Sequence, residues 1–184
     1  MRKPDPAELA AQFQGKKLPP VDKWNPPLSG DMDMRIARDG VWYHEGTAIE
    51  RIQLARLFST ILRRDEDGDY YLVTPVEKWR IQVDDAPFLA VLLTVAGQGH
   101  DQELRFTTNL GDMVTAGPDH PIQVEYRSPD SEPSPYLLVR GRLRALISRS
   151  VFVELAELGE EREVEGETVY GVWSQGEFFP LGRL

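Results

Sequence analysis

One segment of this sequence occurs twice, and this repeat constrains the fold more than any other feature. The two copies align without gaps at a constant offset of 98 residues. The matched positions, first copy before second, are Ile49-Glu50-Arg51 with Ile147-Ser148-Arg149, Leu57 with Leu155, Arg64 with Arg162, and Asp67-Gly68-Asp69 with Glu165-Gly166-Glu167. Each copy reads as strand, helix, acidic turn and strand, so the sequence predicts an internal duplication.

The first copy lies in a segment with clear hairpin and helix signals. Asp39-Gly40, between Met34–Ile36 and Val41–Tyr43, predicts a β-hairpin. Apolar residues then recur at helical spacing at Leu54, Leu57, Phe58, Ile61 and Leu62. We expect this amphipathic helix to open with a capping box over Thr47–Glu50 and to close at Arg63-Arg64, where cations favour the helix end.

The rest of the chain is predicted to be mainly β-structure. The continuous apolar run Phe88–Val95 is typical of a buried central strand. Alternating polarity from Tyr136 to Ile147 predicts one long strand. A helix over Ser150–Leu158 and a closing pair of strands, Thr168–Trp173 and Phe178–Leu181, complete this part.

These patterns together predict an α+β fold that is rich in β-structure and built from two similar halves. Residues 1–30 contain Pro19-Pro20 and Pro26-Pro27, and we expect them to form a proline-rich N-terminal extension. Residues 31–85 are predicted to form a first α+β half, and residues 86–184 a second, β-rich half with one helix. At 184 residues, such a chain can bury a core without disulfides or metals.

Composition excludes several classes of function. The absence of cysteine excludes disulfides, thiolate nucleophiles and cysteine-ligated metal centres. A protein with a net charge of −9 repels the negatively charged phosphate backbone of nucleic acids, so we expect no nucleic-acid partner. No membrane-length apolar run occurs, and no apolar signal region follows Met1-Arg2-Lys3. We therefore expect a soluble cytoplasmic protein with no membrane partner.

The sequence carries no recognised catalytic, metal-binding or cofactor-binding motif. The acidic run Asp65–Asp69 places glycine fourth and Val76 twelfth, whereas a calcium loop requires glycine sixth and glutamate twelfth. His44, His100 and His120 are dispersed, without the paired spacing of metal ligands. We therefore expect no cofactor and a binding or regulatory module rather than an enzyme.

Two polar features leave alternatives open. Arg140, Arg142 and Arg144 lie at alternate positions and would share one face of the predicted strand. Their guanidinium groups either bind a small anion or pair with carboxylates of a neighbouring strand. His120 lies in a proline-containing loop, where it is either a polar turn residue or a ligand contact and general base.

Six stretches of the chain form a recognisable set. They are Asp39-Gly40-Val41-Trp42-Tyr43, Ile49-Glu50-Arg51 leading into Leu57-Phe58-Ser59, Tyr71-Leu72-Val73-Thr74-Pro75-Val76-Glu77-Lys78, Asp84-Asp85-Ala86-Pro87-Phe88, Thr108-Asn109-Leu110-Gly111-Asp112 and His120-Pro121. They are spread along the chain from Asp39 to Pro121, and from Met34 onward the sequence resembles the bacterial domain-of-unknown-function family 1285.

The resemblance implies a duplicated α+β fold whose C-terminal half is superficially like a pleckstrin-homology domain. The family has no established activity, and the resemblance implies a nucleotide-like ligand at the interface between the halves and a role in signal transduction. The ligand-binding residues that it nominates are Arg51, Thr74, Glu77, Lys78, Asn109, Asp112, His120 and Arg140.

Three functional hypotheses follow. The first is a non-catalytic module that binds a small anionic, nucleotide-like ligand between its halves, with arginine and lysine neutralising phosphate. The alternative is a protein–protein interaction scaffold that uses the C-terminal β half, which predicts an exposed apolar patch instead of a polar cleft. The third is an enzyme in which His120 works with Asp112 or Glu77 as acid and base.

Overall fold

The computed structural model describes residues 3–13 and 17–183 of the chain. The chain divides into two compact units after Ala86, one residue beyond the boundary placed from the sequence. Short helices and many strands alternate in both units, so the fold class is the β-rich α+β arrangement that the sequence predicts.

The first unit is a six-stranded sheet with two helices. Its elements are α1 (Pro6–Ala11), β1 (Gly30–Ile36), β2 (Trp42–His44), β3 (Thr47–Ala48), α2 (Ile52–Thr60), β4 (Leu62–Arg64), β5 (Tyr70–Val73) and β6 (Lys78–Val83). The strand order is β3-β2-β1-β6-β5-β4. β1 and β6 run parallel, and the other neighbours run antiparallel.

The core of the first unit follows from alternation along the strands. Met32, Met34 and Ile36 on β1 are buried, whereas the residues between them are exposed or half-buried. They share the core with Trp42, whose ring centroid lies 6.0 Å from that of Phe58 on α2. The apolar stripe of α2 thus faces the sheet, as its helical spacing predicts.

The hairpin prediction in the first unit is confirmed, but the predicted ends of α2 are wrong. Thr47 and Ala48 pair with β2 as an edge strand, so they are not available as a capping box, and the helix begins at Ile52. At the other end, the helix stops at Thr60 and Arg63 belongs to β4. The hydroxyls of Ser59 and Thr60 donate to backbone carbonyls three residues earlier, which competes with a further helical turn.

The second unit contains a six-stranded sheet, a three-stranded sheet and one helix. Its elements are β7 (Phe88–Ala96), β8 (Glu103–Thr108), β9 (Met113–Thr115), β10 (Ile122–Glu125), β11 (Ser134–Arg140), β12 (Leu143–Ile147), α3 (Arg149–Glu157), β13 (Glu160–Val164), β14 (Glu167–Ser174) and β15 (Glu177–Arg183). The strand orders are β10-β11-β12-β7-β8-β9 and β13-β14-β15.

The long strand predicted from Tyr136 to Ile147 is a β-hairpin, so that prediction is wrong. Gly141 and Arg142 form a two-residue turn, and Gly141 has a left-handed φ of +54° that favours glycine. Leu137 faces Ala145 across the hairpin. The turn pairs Arg140 with Leu143, and a bulge between Leu138 and Arg140 then shifts the register so that odd-numbered residues oppose odd-numbered residues. The apolar alternation therefore continues through the turn and hides the reversal.

The two six-stranded sheets are built alike. In each, two antiparallel three-stranded meanders meet at one parallel pair, β1 with β6 in the first unit and β12 with β7 in the second. The sequence repeat follows a different correspondence, since at the offset of 98 α2 and β4 to β6 of the first unit match α3 and the three-stranded sheet β13 to β15 of the second. The similarity of the two halves therefore rests on their six-stranded sheets, while the likeness to a pleckstrin-homology domain stays a prediction.

Candidate functional site

The eight nominated ligand-binding residues divide between the two units. Arg51, Thr74, Glu77 and Lys78 lie in the first unit, and Asn109, Asp112, His120 and Arg140 lie in the second. The contacts of these residues show which side chains already have partners within their own unit.

Thr74 holds the turn between β5 and β6. Its side chain is buried, and its hydroxyl accepts hydrogen bonds from the backbone N–H groups of Val76 at 3.3 Å and Glu77 at 3.0 Å. Its own N–H donates to the carbonyl of Glu77 at 2.9 Å. Thr74 therefore shapes the chain here, whereas Arg51 is exposed at the start of α2.

Lys78 is part of a half-buried ionic network in the first unit. Its Nζ lies 2.6 Å from Oδ2 of Asp65 and 4.1 Å from the ring centroid of Tyr71. Arg63 donates to the same carboxylate from Nε at 2.6 Å. Burial raises the pKa of Asp65, but the hydrogen bonds and charges of Arg63 and Lys78 outweigh it and hold that pKa below its ordinary value.

Arg63 also attaches the N-terminal extension to the first unit. Its Nη1 donates to the carbonyl of Val21 at 2.7 Å and to that of Trp24 at 2.6 Å. Trp24 in turn packs against Phe13, with ring centroids 5.3 Å apart. The guanidinium group of Arg63 thus donates both to the Asp65 carboxylate and to two backbone carbonyls of the N-terminal extension.

Tyr71 supplies a pH-dependent contribution to the stability of the first unit. Its hydroxyl donates to Oδ2 of Asp67 at 2.5 Å, and this hydrogen bond, followed by burial, raises the pKa of Tyr71 to about 12. The unfolded-state pKa is near 10. Because the folded pKa is the higher one, the contribution is complete below pH ~10 and is lost as the pH rises toward ~12.

We therefore expect Tyr71→Phe to remove part of the pH dependence of unfolding between about pH 10 and 12. The measurement is denaturant unfolding of both proteins across that range, with tyrosinate absorbance as a second readout. Equal slopes of unfolding free energy against pH for wild type and variant would contradict the assignment.

Two neighbouring cavities in the first unit share Asp31 and Met32, and their volumes are about 420 and 310 Å³. In the larger one, Nε of Arg80 lies 2.6 Å from Oδ1 of Asp31, and its Nη1 lies 3.7 Å from Oδ2 of Asp69. The hydrogen bond from Arg80 lowers the pKa of Asp31. Two carboxylates around one guanidinium group leave this cavity without the positive charge that an anion requires.

In the second unit, three nominated residues gather at the beginning of β7. The side-chain oxygen of Asn109 accepts from the N–H of Leu89 at 3.0 Å, and the N–H of Asn109 donates to the carbonyl of Leu89 at 2.8 Å. Oδ1 of Asp112 lies 3.4 Å from Nη1 of Arg140. The guanidinium group of Arg140 lies 5.2 Å from the ring centroid of Phe88. The structure thus brings Asn109, Asp112 and Arg140 together.

His120 links the preceding loop to β11. Its Nδ1 lies 3.0 Å from the carbonyl oxygen of Leu138, and its backbone forms a pair of hydrogen bonds with Gly117. A carbonyl can only accept, so Nδ1 carries the proton in this contact. These hydrogen bonds are those expected of a polar turn residue, one of the two alternatives for His120.

The basic face predicted from three alternate arginines is divided by the hairpin turn. Arg140 lies on β11 and pairs with Asp112, whereas Arg142 lies in the turn. Arg144 lies on β12, with Nη1 2.6 Å from Oε1 of Glu125 and its guanidinium carbon 4.0 Å from the ring centroid of Tyr136. Arg140 and Arg144 thus pair with carboxylates, but Asp112 lies between β8 and β9 and Glu125 lies on β10, so neither partner is on the strand next to its arginine.

The distal half of β7 is an exposed apolar surface that the sequence analysis did not identify. Residues Phe88–Ala90 pair with β12 and are largely buried. Beyond Ala90, β7 pairs with β8 along one edge. Within residues 3–13 and 17–183, no strand pairs with its other edge in this part. Here Leu92 is 61% exposed, Val91 37% and Val95 39%. The expectation of a fully buried central strand is therefore wrong for this half.

The composition of this segment does not distinguish it from a buried strand, because Val91 to Gln98 has no charged residue. Gly97 and Gly99, which both have positive φ, follow at the end of the strand. A buried strand of this length requires partners on both edges, and the turn after Ile147 takes β12 away into α3. The short β12 therefore leaves this part of the edge without a partner strand, and α3, which follows β12, also contacts β7.

The described residues contain no group of three or more histidine and acidic side chains arranged to hold a metal ion. Within the same part of the chain, none of the helices has the length and apolar character needed to cross a membrane.

Fold and contacts define a β-rich α+β protein of two units, each with a similar six-stranded sheet. The chain belongs to the DUF1285 family. Residues 19–86 match the N-terminal domain of unknown function of DUF1285, and residues 87–181 match the C-terminal domain of this protein of unknown function.

Two solved structures are similar to this chain. A DUF1285 family protein from Silicibacter pomeroyi DSS-3 is 49% identical with a TM-score of 0.89, and the match covers 100% of this chain and 97% of that one. A DUF1285 family protein from Shewanella baltica OS155 is 31% identical with a TM-score of 0.54, covering 68% and 91% respectively. No curated protein matches this chain.

Proposed function

We propose that this chain is a non-catalytic protein-interaction module that binds a partner at the unpaired edge of β7. The observation that carries this proposal is the distal half of β7, Val91–Ala96, where apolar side chains are exposed along a strand edge that lacks a partner strand in the described residues. The second unit is thus the docking half, in line with the alternative that the sequence left open.

Strand addition is the binding mode that such an edge supports. Unpaired backbone N–H and C=O groups provide affinity for an extended segment, and alternate side chains provide specificity. The register with β8 places Leu93 and Val95 on the face of Phe106 and Leu104, which are buried. An added strand would extend this apolar face and remove it from water.

Leu92→Lys tests the proposal, because it introduces a charge at the most exposed apolar position of the edge. We expect the folded variant to lose a specifically captured protein in affinity capture from a bacterial lysate, since an unpaired charge opposes apolar docking. Met113→Lys is the matched control, because Met113 is also exposed, at 66%, but lies on β9. The same set of captured proteins for wild type and both variants, together with equal self-association of all three, would contradict the proposal.

A second candidate function is the binding of a small anionic, nucleotide-like ligand, with the role in signalling that the resemblance implies. It is favoured by the gathering of Asn109, Asp112 and Arg140 at the beginning of β7. An anion there would replace the carboxylate of Asp112 as the partner of the Arg140 guanidinium group.

Thermal shift with nucleotides and phosphorylated metabolites tests this second candidate. A ligand at a hundred times its Kd stabilises the protein by about 2.7 kcal/mol, which raises Tm by roughly 5–10 °C at this chain length. Arg140→Gln should abolish the rise, and Arg142→Gln, in the adjacent turn, should retain it. A flat response to the whole ligand set at millimolar concentration would remove this candidate.

A further inference from the structure

Two strand edges of the second unit, those of β13 and β7, differ in whether their side chains hinder pairing with a strand of another chain. All five residues of β13 are exposed at the margin of the three-stranded sheet, and they include Glu160, Glu161 and Glu163. Like charges along an edge repel a second copy of the same edge, which is a common protection against edge-to-edge pairing. β13 is therefore a protected edge.

The distal edge of β7 has no such protection. From Val91 to Gln98 the chain has no charged residue, although the protein as a whole has a net charge of −9. Two copies of an acidic protein repel each other over most of their surfaces, and a neutral apolar edge is where a second copy can approach at least cost.

From this contrast we propose that the occupant of the β7 edge is a second copy of this chain, paired antiparallel about a twofold axis. The inference rests on the proposed function, because it names the partner of the same edge. Antiparallel pairing of identical strands is isologous, so both copies use the same residues and the assembly closes at two.

Side-chain alternation restricts the register of this pair. Leu93 and Val95 share one face of β7, while Leu92, Thr94 and Ala96 share the other, as their opposite residues on β8 indicate. A bulge between Ala90 and Leu92 leaves Val91 without an opposite residue on β8. A twofold axis perpendicular to the sheet keeps each residue on its own face, so the axis lies midway between the two copies of one residue. Centred on Leu93, the pair sets the two copies of Leu93 side by side and Leu92 opposite the partner's Thr94.

Sedimentation velocity over a concentration series tests the inference with the full-length chain. The wild type should shift from monomer to dimer as concentration rises. Leu92→Lys should remain monomeric, because two lysines then meet diagonally across the pair. Met113→Lys should dimerise like the wild type, and circular dichroism with a thermal melt should show both variants folded.

A charge-complementation experiment distinguishes loss of dimerisation from loss of folding. Leu92→Lys and Leu92→Glu should each be monomeric alone and should form a heterodimer when mixed. A wild type that stays monomeric at every concentration, or a Leu92→Lys variant that dimerises like the wild type, overturns the inference. If the wild type is monomeric but Leu92→Lys still loses a captured protein, this inference fails and the proposed function stands; if neither changes, both fail.

Discussion

Gly171→Ala is expected to destabilise the second unit by about 3 kcal/mol, because a methyl group at this position has no space. A Cβ at residue 171 would lie 2.4 Å from the carbonyl oxygen of Phe179 and 2.7 Å from Cζ of Phe178. The oxygen belongs to the backbone of the neighbouring strand β15, so the strand pair itself must separate.

Thermal or denaturant unfolding measures this effect. Gly182→Ala is the matched control, since it adds the same methyl group on β15, where the nearest atom is the hydroxyl of Tyr126 at 3.7 Å. A loss of unfolding free energy below about 0.5 kcal/mol for Gly171→Ala, within the range of ordinary surface substitutions, would show that the two strands do not pack as described.

Ser174→Ala is expected to have an effect of similar size for a different reason. Ser174 is fully buried, and its hydroxyl donates to the carbonyl of Ala116 at 2.6 Å and accepts from the N–H of Leu104 at 2.9 Å. Its removal leaves two buried backbone groups without this partner, at a cost of about 1–3 kcal/mol each. The end of β14 would lose two of the hydrogen bonds that attach it to the six-stranded sheet.

Ser131→Ala separates this effect from the loss of a serine hydroxyl in general. The hydroxyl of Ser131 also accepts one hydrogen bond and donates one, both with the backbone of Ser128, but these bonds are exposed. Water replaces exposed bonds, so we expect a change below about 0.5 kcal/mol in urea unfolding. Equal losses for the two variants would contradict the buried bridge.

Local patterns in the sequence predicted the elements of this fold well, because they are set by residue alternation and turn chemistry. The repeat at an offset of 98 identified α2 and α3 and the strands that follow each of them. The predictions that failed were those that depend on pairing between residues distant in sequence. Thr47 joined a strand instead of capping a helix, and the reversal at Gly141 left no trace in the apolar pattern. Sheet pairing decides both, and it depends on residues distant in sequence.

The candidate site was less accessible to sequence reasoning than the fold. Resemblance and residue type nominated cations such as Lys78 and Arg140, but their partners, Asp65 and Asp112, come from other strands or turns. The exposed edge of β7 depends on where a different strand, β12, stops. An apolar run alone cannot distinguish a buried strand from an unpaired one, because both have the same composition.

Hydrogen exchange of the backbone amides in Val91–Ala96, measured at low and high protein concentration, tests most directly whether the β7 edge is a binding surface. We expect amides on the unpaired side to exchange rapidly in dilute protein and slowly when the edge is occupied, while the amides of β8 stay protected throughout. Slow exchange of the whole segment in dilute protein would show that the chain already covers this edge, and would contradict the account.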